Sequence, residues 1–152
     1  MCEVRRTDFV MRTRLRMRVL GILAVALGLV TQGCSMADTS AAEAEVAKFH
    51  AALGDSRSGE IYAAATEEFT SKATEQQFTE LLDAVNRKLG KVKTAQLSSW
   101  KINYVTSGHY VVLVYRTSYE QGEADEQFIY RMQQKDARLV GYHINSNAFI
   151  IK

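Results

Sequence analysis

TEQQFTELLDAVNRKLG, residues 74–90, followed directly by KVKTAQLSSWKINYV, residues 91–105, decides the fold class, because the hydrophobic period changes within it. Thr74 followed by Gln77 forms a capping box, and Phe78, Leu81, Leu82, Val85 and Leu89 run along one stripe until Gly90. That stripe predicts an amphipathic helix that stops at the glycine. Beyond Lys93 the spacing turns from helical to alternating, with Trp100, Ile102 and Tyr104 on one face before Ser107-Gly108. The chain therefore passes from helices to strands once.

Upstream, Val46, Phe49 and Leu53 recur at three- and four-residue spacing from Ala41 until Gly54, which predicts a first helix. Ile61, Tyr62, Ala65 and Phe69 predict a second, shorter one over 59–69. Downstream, Val111, Leu113 and Tyr115 share a face before a turn from Glu120 to Asp125. Phe128, Tyr130 and Met132 share another before Lys135-Asp136-Ala137, and Leu139 to Ile144 completes the sheet. Consecutive hairpins would set Tyr115 opposite Tyr130, and Tyr130 opposite Tyr142, a row of three tyrosines on one face. The expected fold is α+β: three N-terminal helices packed on a curved four-stranded antiparallel sheet. One domain over residues 41–152 is expected.

The N-terminal region has a different character. Twelve uncharged residues, Val19 to Val30, follow Arg12, Arg14, Arg16 and Arg18 and precede Thr31-Gln32-Gly33-Cys34. As a helix they would reach ~18 Å, short of a ~30 Å hydrocarbon core, so an export signal over residues 1–33 is the expectation rather than a membrane span. The stretch from Met11 is purely basic and apolar and reads as an alternative start. Gly33-Cys34 resembles the end of a bacterial lipobox, which implies lipidation of Cys34 and a membrane anchor; Thr31 and Gln32 depart from that motif, and cleavage by the ordinary signal peptidase is the alternative. Ser35 after the cysteine implies passage to the outer membrane, and residues 34–40 read as a tether. The expected location is the periplasm.

Six of the 19 basic and two of the 17 acidic side chains precede Cys34, leaving 13 against 15 and a net charge near −2. The densest basic cluster of that part, Arg87, Lys88, Lys91 and Lys93, fits a helix C-terminus favoured by the macrodipole. Nucleic acid is not an expected partner. With Cys2 before the cut and Cys34 acylated, no thiol remains for a disulfide.

The chain also resembles a bacterial family of exported proteins, domain of unknown function 4019. The likeness rests on Arg87-Lys88-Leu89-Gly90, on Tyr110-Val111-Val112 leading to Thr117-Ser118-Tyr119, and on Gly141-Tyr142-His143-Ile144. Phe49, Phe78 and Leu139 stand where its members often carry tryptophan, swaps that keep the bulk apolar. The layout resembles the cone-shaped nuclear-transport-factor-like (cystatin-like) superfold, whose members often enclose a pocket between sheet and helices. The family brings no known chemistry with it.

His50, His109 and His143 fall on separate elements without metal-ligand spacing, no Gly-x-Ser-x-Gly occurs, and neither a metal nor a cofactor is expected. Asp125 and Glu126 are placed in a solvated turn, so no carboxylate is expected on the tyrosine face. The expected function is a non-enzymatic module that binds an envelope protein. The alternative is a pocket for a small apolar ligand, with Tyr115, Tyr130 and Tyr142 as its candidate lining. A homodimer through a free sheet edge fits either reading.

Overall fold

Thr39 opens the first helix by donating its hydroxyl to the Glu43 carboxylate at 2.5 Å, while its carbonyl accepts the Glu43 N–H at 2.9 Å. In the computed structural model, which describes residues 39–134 and 136–150, helix α1 then spans Ser40–Gly54. Val46, Phe49 and Leu53 are buried, as the spacing predicts, and Ala42 and Ala52 join them. The export signal, Cys34 and the tether up to residue 38 lie outside the described residues.

The second expected helix is two. Helix α2 covers Ser58–Ala64 and α3 covers Glu67–Thr70, with Ala65 and Thr66 extended between them at ψ 168° and 159°. Thr66 explains the break. Its backbone N–H and its hydroxyl both donate to the Leu139 carbonyl, at 2.9 and 3.0 Å, and the same hydroxyl accepts the Phe69 N–H to cap α3. A bond to a strand 73 residues away replaces one turn of helix. The described residues thus hold four α-helices rather than three.

Helix α4, Glu75–Leu89, has both halves of the capping box: Thr74 Oγ1 accepts the Gln77 N–H at 3.3 Å and Gln77 Oε1 accepts the Thr74 N–H at 3.0 Å. Phe78, Leu82, Val85 and Leu89 are buried, whereas Leu81 is exposed. Gly90 ends the helix at φ 75°, in the left-handed region. A Cβ there would lie 2.5 Å from Glu120 Oε2, the oxygen that accepts the Lys91 N–H. With the Gln121 N–H donating to the Leu89 carbonyl at 2.9 Å, the end of α4 is latched to a turn in the sheet.

The strands β1 (Val92–Val105), β2 (Gly108–Tyr119), β3 (Gly122–Gln133) and β4 (Asp136–Asn145) form an open antiparallel meander in the order β1-β2-β3-β4. The turn between β2 and β3 is only Glu120-Gln121, because Tyr119 pairs with Gly122. Asp125 and Glu126 therefore sit inside β3, not in a solvated turn. The tight turn also changes the register: Tyr115 faces Glu126, Tyr130 faces Leu139 and Tyr142 faces Phe128. No cross-strand row of tyrosines forms. A four-residue shift preserves which face a side chain occupies, so Tyr115 and Tyr130 still point inward. Between β3 and β4 the register breaks at Ile129/Tyr130, leaving Val140 as an extra residue that lets Leu139 and Tyr142 both turn to the core.

Phe49 meets Phe128 edge-on at 5.1 Å and Tyr142 at 4.7 Å, seating α1 on the inward faces of β3 and β4. Val111, Leu113, Phe128, Leu82 and Val85 complete a core from which solvent is excluded. The distal half of β1 is not covered: Trp100 is 51% and Tyr104 76% exposed, although both face the same side as Leu113 and Val111.

Candidate functional site

The most polar point of the interior is Glu126, fully buried at the centre of β3. Alternation along the strand turns Ala124, Glu126, Phe128 and Tyr130 inward together, so the carboxylate arrives among core side chains. Four groups converge on it. His50 Nε2, from α1, lies 2.8 Å from Oε2, which also accepts the Thr117 hydroxyl of β2 at 2.5 Å. Tyr119 of β2 and Tyr142 of β4 donate their hydroxyls to Oε1 at 2.9 and 2.7 Å.

Burial is the strongest influence on the Glu126 carboxyl and pushes its pKa up; the hydrogen bond and charge of His50, with the Thr117 and Tyr142 hydroxyls, outweigh it and hold the group below its ordinary value. The two tyrosines shift the other way. Burial, then the neighbouring Glu126 charge, raises Tyr119 and Tyr142 above the usual phenol range, so both remain donors. A carboxylate has about four acceptor positions, and here all are taken. The cluster is a tie joining α1 to β2, β3 and β4, with no lone pair left over for a substrate.

Of the residues singled out from sequence, Tyr142 belongs to this cluster. Tyr115 lies beside it, its ring edge-on to His50 at 6.5 Å and to Phe128 at 6.0 Å. Tyr130 is elsewhere: it lines a cavity of about 340 Å³ between α1, α2 and β4, floored by Phe49, Ile61 and Leu139. The expected trio is thus divided between two places. His109 stacks on Tyr104 at 4.3 Å, and His143 lies exposed opposite Gln127. Among the described residues, no group of three or more His, Cys, Asp or Glu side chains comes together.

Sequence reading missed Glu126, His50, Thr117 and Tyr119. The available signal was Glu126 at the same parity as Phe128 and Tyr130. The model of a family described as "Protein of unknown function (DUF4019)" matches residues 45–142, which takes in His50, Glu126 and all three hydroxyl donors. The chain belongs to this family. No curated protein matches the sequence. Two of the segments that carry the DUF4019 resemblance, Thr117-Ser118-Tyr119 and Gly141-Tyr142-His143-Ile144, deliver the three hydroxyls to Glu126.

Proposed function

We propose that this DUF4019 chain is an exported, lipid-tethered module of the bacterial envelope that binds a protein partner and catalyses no reaction. Its domain is a member of the cystatin-like, nuclear-transport-factor-like cone superfold. The signal ending at Cys34 supports export and acylation, and Ser35 supports sorting to the outer membrane. The observation that carries the binding role is the uncovered distal half of β1, where Trp100, Tyr104 and Val105 stand exposed on a strand whose outer edge has no neighbour among the described residues. Aromatic side chains are enriched at protein interfaces, and an open edge offers backbone groups to an extended segment. The partner adds a strand beside β1 and packs on Trp100 and Tyr104. The saturated Glu126 fits a binding role better than general-base chemistry, since its acceptor sites are spent inside the fold.

Crosslinking the full chain in intact cells, beside Cys34→Ser and Trp100→Lys, with recovery from membranes and mass spectrometry, tests this. The expected result is a partner captured by the parent chain, weakened by each change, with the acyl mass present only when Cys34 is intact. A partner held equally by parent and Trp100→Lys, or none in an acylated preparation, overturns it. Crosslinks between two copies would assign the edge to a homodimer instead.

A further inference from the structure

Tyr130 lies at the wall of the 340 Å³ cavity with 2% of its surface exposed, and its hydroxyl has no hydrogen-bond partner among the described residues. The ring is buried while the hydroxyl keeps contact with the open space of the cavity, so it is left to donate there. The hydroxyls of Tyr119 and Tyr142, by contrast, both donate to Glu126. The floor beneath Tyr130 is apolar, made by Phe49, Ile61 and Leu139. At about 340 Å³ the space stands at the small end of organic-ligand sites.

The mouth carries two cations, and both are already matched. Lys48 pairs with Glu45 at 2.6 Å, and Arg57 pairs with Glu60 at 2.5 Å and with Asp55 at 3.0 Å. No uncompensated positive charge remains there to draw in an anion, and burial followed by the Glu45 charge keeps the Tyr130 phenol protonated as a donor.

We infer that this cavity binds a small neutral molecule with an apolar body and one hydrogen-bond acceptor, a ketone or ether oxygen, which takes the Tyr130 hydroxyl. The site lies beside β4, at the opposite edge of the sheet from β1, so it stands independently of the partner surface.

Three probes of similar size separate the contributions: acetophenone carries the acceptor, ethylbenzene lacks it and benzoate adds a charge. Each is titrated into the full chain and into Tyr130→Phe, following the NMR signals of Ile61 and residue 130. Acetophenone is expected to bind saturably, about threefold to tenfold tighter than ethylbenzene, as one neutral hydrogen bond allows. Benzoate binds weakest. In Tyr130→Phe the preference for the ketone disappears while ethylbenzene is unaffected. Ala51→Leu, which adds bulk to the cavity lining and leaves the Tyr130 hydroxyl in place, weakens both neutral probes. No saturable shift with any probe, benzoate binding best, or a ketone preference that survives in Tyr130→Phe overturns the inference.

Discussion

Glu126 occupies the position where a core would be expected to reject a charge, and it is stable there because each of its oxygens meets two donors. Glu126→Gln keeps the shape but sets an amide N–H₂ where hydroxyls now point their protons, so the bonds on one oxygen are lost unless those hydroxyls turn. We expect it to lower unfolding free energy by about 3 kcal/mol, measured by denaturant titration. The folded-state pKa of Glu126 lies below its ordinary 4.5, so its contribution is present above that pH and is lost as the pH falls through the folded value. The tyrosines set the opposite limb. Their folded values lie above the ordinary 10.0, so their contribution is complete below that pH and drains away as the pH rises beyond it. Melting temperature against pH should therefore fall at both extremes, and Glu126→Gln should flatten the acidic limb while sparing much of the alkaline one. An unchanged acidic limb would show that the carboxylate is not the titrating group. None of this was read from sequence, because the polar run from Glu120 to Asp125 looks like a long loop and hides the inward parity of Glu126.

At the level of elements, local chemistry was most legible where it is self-contained. The capping box of α4 and the terminating Gly90 are where residues 74–90 place them. Long-range contacts decided the rest. Thr66 leaves the helical path for the Leu139 carbonyl, a choice no window of a dozen residues can reveal. The register of β2 against β3 depends on whether the connecting turn takes two residues or six, and the tighter turn is held from outside by the end of α4. Gly90→Ala tests that latch. A left-handed backbone costs an L-residue roughly 1–2 kcal/mol, and the added methyl would also press on Glu120, so we expect a loss of about 2 kcal/mol in thermal or urea unfolding. A neutral outcome would mean that the turn moves freely relative to the helix.

Across the whole molecule, the faces of the sheet were legible even though their alignment was not, because register errors of an even number of residues leave inward positions inward. What the layout implies for motion is specific. β2 and β3 are paired on both sides and should exchange amide hydrogens at the rate of global unfolding, while Trp100–Val105 of β1 should exchange sooner. In Glu126→Gln, protection should fall more in α1 than in α4, since of these two helices α1 sends a side chain to the carboxylate. Equal loss in both helices would place the tie outside α1. The position of α1 as the first helix of the described residues has a mechanical meaning. Any pull from the segment before Thr39 enters the domain at the first turn of α1. His50 lies ten residues on from Ser40, ~15 Å along the axis. Peeling under load would release Ala42, Val46 and Phe49 in succession at modest force and then meet a single charged latch, so the domain would yield gradually before it arrests.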